Sequence, residues 1–260
     1  MNAKAVDHSE ITVGFHAVKY CAPNHTATPI LSDITLEIRR GETVVLLGRS
    51  GSGKTTLLKL VNRLLKPSAG EIYVNGQPTD LVDPIRLRRG IGYVIQEGGL
   101  FPHYTVAENI GLVPGLEEWG RDRIEARIAK MMQLVGLELG EFGGRKPREL
   151  SGGQRQRVGV ARALAADPEI LLMDEPFGAL DPVTRAELQN EFADLARRLG
   201  KTILFVTHDL REAMRVGSRI VMLAGGRIVA DAPPSEFLRV DHAEVRAFAN
   251  SFAMPNEARA

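Results

Sequence analysis

The chain is poor in cysteine: Cys21 is the only one among its 260 residues. No intrachain disulfide can form and no cysteine cluster can hold a metal, which points to a reducing compartment. A strong charge of either sign is also missing. With 33 Lys and Arg against 32 Asp and Glu, the formal net charge is +1, so no bulk positive field argues for a nucleic-acid partner. Long hydrophobic runs are lacking as well. The apolar stretches Thr43 to Leu47, Ile170 to Met173 and Thr202 to Val206 fall far short of the roughly 20 residues that cross a bilayer. Met1 to Glu10 is polar and has no apolar signal core, so any membrane role is expected to come through a partner. His8, His16, His25, His103 and His242 show no metal-ligand spacing. The sequon Asn24-His25-Thr26 carries no meaning without a secretory signal. There is no internal repeat and no low-complexity tract.

What is present suits a well-cored α/β chain: 44% hydrophobic and 25% charged residues. Apolar patterning predicts strands at Ile11 to Phe15, Asp33 to Ile38, Thr43 to Leu47, Glu71 to Val74 and Ile91 to Ile95. Helical spacing runs from Lys54 to Leu64, stopped by Pro67 and Gly70. Residues 105–166 read as mostly helical, at Arg123 to Leu134 and Leu150 to Ala166, around a flexible break from Gly140 to Pro147. The basic side chains Arg121, Arg123, Arg127 and Lys130 read as a solvated helix face. Strand patterns return at Ile170 to Met173, Thr202 to Val206, Ile220 to Ala224 and Arg227 to Ala230. A helix from Pro182 to Leu199 lies between the first two, a βαβ arrangement that implies parallel strands. The expected division is a core from 1–96 and 156–240, a helical insertion at 97–155, and a C-terminal helix and tail at 241–260, frayed from Met254.

Gly48-Arg49-Ser50-Gly51-Ser52-Gly53-Lys54-Thr55, continued by Thr56, fits the phosphate-loop pattern between a strand and a helix. Glycines let backbone N–H groups curl around phosphate oxygens, and the helix that follows turns its positive end toward the anion. Lys54 would reach the β- and γ-phosphates, and the Thr55 hydroxyl would ligate Mg2+. A second carrier of chemistry is the strand Ile170 to Met173, which runs into Asp174-Glu175. Two carboxylates at a strand's carboxyl end stand where α/β proteins bind ligands. Alternation points them in different directions, so Asp174 suits the metal shell and Glu175 the attacking water.

Leu150-Ser151-Gly152-Gly153-Gln154-Arg155-Gln156-Arg157 resembles the signature motif of ABC ATPases. With the phosphate loop, the acidic pair, Gln96 and His208, five motifs stand in that family's order over about residues 10 to 240. The resemblance implies an α/β fold of ABC ATPase type: a P-loop NTPase (RecA-like) core with an antiparallel β-subdomain and a helical insertion. It implies ATP and Mg2+ as ligands. Tyr20, with Phe15 as fallback, matches the aromatic that stacks on adenine. Gln96 matches the residue near Mg2+ and the water, Asp181 the D-loop, and His208 the switch histidine on the γ-phosphate. Ser151, Gly152, Gly153 and Gln154 match the segment that binds the nucleotide held by a second copy. The implied partners are a second ATPase subunit, as a homodimer, transmembrane permease subunits, and indirectly a substrate-binding protein. The implied place is cytoplasmic, peripheral on the inner face of the membrane.

Two stretches narrow the class. Ile91 to Val106, and Val158 to Ala166 with Asp174 to Pro182, resemble the ATPases of osmoprotectant importers for glycine betaine, carnitine and choline. An importer of another small polar solute such as an amino acid, and a soluble ABC ATPase outside transport, are the alternatives. Many members of that subfamily carry paired CBS domains after the ATPase. This chain ends too soon for them, so ionic-strength gating through them is not expected. Glu97 to Tyr104 is the expected docking surface for the permease, with Gly98, Gly99, Leu100, Phe101 and Pro102 as a mobile apolar patch beside Gln96.

Overall fold

The computed structural model describes residues 10–23, 28–96, 99–178 and 180–253, with side chains up to residue 250. The sequon, Glu97, Gly98, Ala179 and the tail from Met254 lie outside the described residues. In chain order the elements are β1 (Ile11–Tyr20), β2 (Leu31–Arg39), β3 (Thr43–Leu47), α1 (Lys54–Val61), β4 (Ala69–Val74), β5 (Gln77–Pro78), α2 (Pro84–Arg89) and β6 (Ile91–Val94). The helices α3 (Val106–Leu116), α4 (Arg121–Leu134), α5 (Leu139–Phe142) and α6 (Gly152–Leu164) follow. Then come β7 (Ile170–Asp174), α7 (Pro182–Leu199), β8 (Thr202–Thr207), α8 (Leu210–Val216), β9 (Arg219–Ala224), β10 (Arg227–Ala232), α9 (Pro234–Phe237) and α10 (Ala243–Ala253).

The chain divides into two compact units, Met1–Leu87 with Thr202–Ala260, and Arg88–Lys201. In the first, an antiparallel sheet has the order β2-β1-β4-β5. Beside it in the same unit, β3 pairs in parallel with β8 and with β9, and β10 closes antiparallel on β9. Every residue of β3 and β8 is buried, which is why both read as unbroken apolar runs. β1 extends beyond the expected end at Phe15. Its pairing shifts register between Phe15 and Val18, and Ala17 takes a left-handed φ of 48°. This bulge breaks the alternation that sequence patterning follows. α1 stops at Val61, short of the expected Leu64, because Arg63 turns left-handed at φ 53° and sends Leu64 to the surface.

In the second unit β6 and β7 pair in parallel, Ile91 with Ile170 through Val94 with Met173. A Cβ at Gly92 would lie 2.5 Å from the Ala163 carbonyl oxygen, so the strand needs glycine to approach α6. The expected break from Gly140 to Pro147 instead contains α5, whose start is capped by Glu138 accepting the Glu141 N–H at 2.6 Å, followed by a 3-10 turn at Pro147–Glu149. The basic face of α4 is not simply solvated. The Arg123 guanidinium lies 3.5 Å from the Trp119 ring centre. Arg127, its side chain only 15% exposed, donates to the carbonyls of Ala165 and Leu164 at 2.8 Å each and to Asp167 at 3.4 Å. It satisfies the open carbonyls at the end of α6.

Candidate functional site

In the first unit β3 delivers the chain into Gly48. A Cβ there would meet the Leu223 carbonyl oxygen at 2.4 Å, so only glycine lets the loop turn beneath β9. Gly53, at φ 103°, precedes the first residue of α1, and a Cβ there would strike Leu31 at 2.5 Å. Lys54 is 5% exposed and its Nζ donates to the carbonyls of Gly48 and Arg49 at 2.8 and 3.0 Å. Its ammonium therefore crosses the inside of the loop. Ser52 is 7% exposed and its Oγ has no hydrogen-bond partner. A buried hydroxyl left open inside a loop of this shape fits a phosphate, which accepts hydrogen bonds. Arg49 turns outward, with its Nε 3.0 Å from Glu244 of α10.

Because Leu47 pairs with Thr207, Gly48 and His208 leave the parallel strands side by side at their carboxyl ends. His208 is exposed. The turn behind it is fixed, since the Asp209 N–H donates to Thr207 Oγ1 at 2.9 Å and the Asp209 carboxylate accepts the Arg211 N–H at 2.7 Å to cap α8. Tyr20 ends β1, is 8% exposed, and its carbonyl accepts the Ile30 N–H at 2.8 Å. Phe15, the fallback for the expected adenine-stacking ring, is fully buried in the core.

In the second unit β6 and β7 bring Gln96, Asp174 and Glu175 to one end of a strand pair. Gln96 is exposed two residues beyond β6, and Asp174, the last residue of β7, is buried. Tyr93 on β6 hydrogen-bonds Asp174; burial first, then the charge and hydrogen bond of Asp174, push the phenol's pKa up. Glu175 has a left-handed φ of 44°, a conformation costly outside glycine and concentrated at functional sites. Ser151 caps α6, and Asp181 caps α7 by accepting the N–H groups of Val183 and Thr184 at 3.2 and 3.0 Å, with Pro182 at the first helical position. The Thr184 hydrogen bond, then the backbone ones, hold the Asp181 carboxyl below the usual range. A Cβ at Gly153 would lie 2.9 Å from the Thr184 methyl group, so the starts of α6 and α7 meet at this glycine.

Four residues of this unit escaped sequence reasoning. Tyr93 supports Asp174. Arg185 donates to the carbonyls of Phe177, Gly178 and Leu180 at 3.1, 3.2 and 2.8 Å, holding the turn after the acidic pair. Asn109 and Arg162 fix the segment after Gln96. Asn109 alone left a signal, as an amide on the otherwise apolar face of Val106 and Ile110.

Among the described residues no group of three or more His, Cys, Asp or Glu side chains could hold a metal ion by itself. Oxygen donors of the Thr55 and Asp174 type suit Mg2+, which commonly takes one or two protein oxygens and completes its shell from substrate phosphates.

A strand–loop–helix turn around Lys54 and a Ser-Gly-Gly helix start are the local structures expected of an ATP-binding cassette. The chain belongs to the ABC transporter family, whose model matches residues 31–178. OsmV of Salmonella typhimurium (strain LT2), an osmoprotectant import ATP-binding protein, is 51% identical over 208 residues, 80% of this chain and 54% of its own. OpuCA of Bacillus subtilis (strain 168), a glycine betaine/carnitine/choline transport ATP-binding protein, is 52% identical over 209 residues, 80% of this chain and 55% of its own. YehX of Escherichia coli (strain K12), a glycine betaine uptake system ATP-binding protein, is 50% identical over 212 residues, 82% of this chain and 68% of its own. The chain spans about half the length of the first two relatives. Among solved structures, the dimeric post-hydrolysis state of the ATP-binding cassette MJ0796 bound to ADP and Pi matches with a TM-score of 0.76 and 35% identity, over 85% of this chain and 98% of that one. CbiO1 of Clostridium perfringens, part of the transporter complex cbiONQ, matches at 0.80 with 28% identity, over 93% and 95%.

Proposed function

We propose that this chain binds ATP with Mg2+, pairs with a second copy around it, and hydrolyses it to drive uptake of an osmoprotectant of the glycine betaine, carnitine or choline type through a permease. The observation that carries the nucleotide chemistry is the loop at Gly48–Thr55, with the Lys54 ammonium across it and an unpartnered Ser52 hydroxyl inside it. The solute class is supported by relatives about 50% identical that carry those names.

In this reading the backbone of Gly48, Arg49, Ser50, Gly51, Ser52 and Gly53 binds phosphate oxygens, with Thr56 at the helix start. Lys54 leaves the Gly48 and Arg49 carbonyls to meet the β- and γ-phosphates, exchanging neutral acceptors for charged ones. Tyr20 offers a ring to the adenine. Thr55, Asp174 and Gln96 would hold Mg2+, which when bound supplies positive charge against the phosphates. Glu175 orients a water and takes its proton as the water oxygen bonds to the γ-phosphorus and ADP departs. His208 hydrogen-bonds the γ-phosphate, and Asp181 lines the dimer seam. Ser151, Gly152, Gly153 and Gln154 bind the γ-phosphate held by the other copy. Loss of that phosphate removes contacts the closed pair depends on, so ATP and ADP favour different states.

Among the described residues no helix is long and apolar enough to cross a membrane. We propose peripheral attachment at the inner face of the membrane through the permease, with a substrate-binding protein beyond it. Phe101 and Tyr104, 49% and 40% exposed with ring centres 5.5 Å apart, are the apolar contact for the permease. Phosphate release by the purified chain with MgATP tests the reading. Turnover should fall about a hundredfold or more in Lys54→Ala, and an unchanged rate would remove the cradle from the mechanism.

A further inference from the structure

The segment from Gly99 to Thr105 is gripped by two helices. From α3, the fully buried Asn109 accepts the Phe101 N–H on Oδ1 at 2.8 Å. Its Nδ2 faces the carbonyls of Phe101, Tyr104 and Thr105 at 3.2, 3.3 and 2.9 Å. From α6, Arg162 donates from Nη1 to the Gly99 carbonyl at 2.9 Å, and its guanidinium lies 5.8 Å from the Phe101 ring centre. Gly99 has a φ of 48°, and a Cβ there would fall 2.0 Å from Ile95 Cδ1 and 3.8 Å from Arg162 Nη2, so the absence of a side chain lets this backbone lie close against Ile95 and the arginine. The segment is exposed from Phe101 to Tyr104, and the rings of those two residues pair on its surface.

The opposite end of α6 begins at Ser151. The eleven residue steps from Ser151 to Arg162 amount to roughly 16 Å of helix at 1.5 Å per residue. A helix of this length moves as a body, whereas a loop does not. A guanidinium suits the join, because its planar fork donates in fixed directions while one face lies near an aromatic ring.

We infer that Arg162 is a positioning residue that ties the Phe101–Tyr104 surface to the helix bearing Ser151, so that displacement at either end of α6 is felt at the other. The inference rests on the proposed function in one respect: α6 is displaced when Ser151 engages nucleotide on a second copy. Asn109 keeps the segment folded onto α3, and Arg162 transmits the displacement.

The test uses the full chain carrying Glu175→Gln to hold ATP, Trp119→Phe to remove the native tryptophan, and Phe101→Trp as reporter. Dimer formation is followed by sedimentation and acrylamide quenching of the new indole in the same samples, with and without MgATP. With Arg162 intact, dimerisation should change the quenching constant. In Arg162→Lys the dimer should still form, while that change shrinks by about threefold or more, within the range of known coupling energies. An equal change in both proteins overturns the inference and leaves the proposed function standing. Failure of the Arg162 protein to dimerise overturns both. An arm that needs no change at Arg162 is amide exchange in the Glu175→Gln chain. Residues 100–105 and 151–158 should gain or lose protection together on adding MgATP, and a response confined to 151–158 overturns the inference.

Discussion

Ser151 and Gln154 cap each other: the Ser151 hydroxyl accepts the Gln154 N–H at 3.2 Å, and the Gln154 side-chain oxygen accepts the Ser151 N–H at 2.8 Å. This reciprocal pair caps α6 with the chain's own groups, so the proposed contact with a second copy's phosphate falls on a helix end with a fixed geometry. The two roles of Ser151 separate by substitution. Aspartate is a good helix cap but brings a negative charge to an anion site. Ser151→Asp should keep unfolding stability within about 0.5 kcal/mol while losing ATP-driven dimerisation. Urea denaturation and sedimentation check the two halves.

Tyr93 hydrogen-bonds Asp174 from the neighbouring strand. Tyr93→Phe keeps the ring in place and removes one hydrogen bond to a charged acceptor, worth about 1.5–3 kcal/mol. Turnover should drop about tenfold or more, with the larger part of the loss recovered at high Mg2+ if the hydrogen bond aims Asp174 at the metal. A magnesium titration of phosphate release in both proteins measures this.

Glu175 combines a proposed chemical role with a left-handed backbone. Glu175→Gln should bind ATP and lose turnover by about a hundredfold or more. Glu175→Gly should be equally inactive yet as stable as the parent or more so, by up to about 1 kcal/mol, because glycine adopts the positive φ without strain. Thermal unfolding beside the phosphate assay decides it.

Asp167 accepts hydrogen bonds from Lys201 at 3.0 Å and Arg127 at 3.4 Å. The Lys201 bond is the leading cause of a carboxyl pKa held below its usual value. A depressed folded pKa contributes stability above the unfolded value and loses it as the pH falls through the folded one. The side chain is 64% exposed, so the contribution is screened to under about 1 kcal/mol. Asp167→Asn, which suits the left-handed φ of 58° equally well, should be less stable at neutral pH. The gap should narrow as the pH falls from the ordinary carboxylate value toward the lower one held by the fold. Urea midpoints along that series test it.

Much of this was legible in the sequence because local pattern and local structure coincide there. β3 and α7 run between the residues that patterning predicted, the first an unbroken apolar run beside Gly48 and the second opened by Asp181-Pro182 and closed by Gly200. What escaped depended on distant partners. Arg127 reads as one more charge on a basic helix until Leu164 and Ala165, nearly forty residues on, supply the carbonyls it caps. Arg162 likewise needs Gly99, and Tyr93 needs the register of β6 on β7. The bulge at Ala17 defeats a period-two reading because it changes the period. The motifs were legible for the opposite reason: phosphate chemistry fixes both the residue types and their spacing along the chain.

In the proposed pair, Lys54 of one copy and Ser151 of another act on the same γ-phosphate, and mixing two inactive variants distinguishes this from a site within one copy. Lys54→Ala and Ser151→Arg should each be inactive alone. In a mixed dimer one site carries both lesions and the other carries neither. Equimolar mixing should therefore restore MgATP turnover, up to about a quarter of the wild-type rate if pairing is random. A mixture as inactive as its two components would place both residues on a single copy's nucleotide and rule out the shared γ-phosphate.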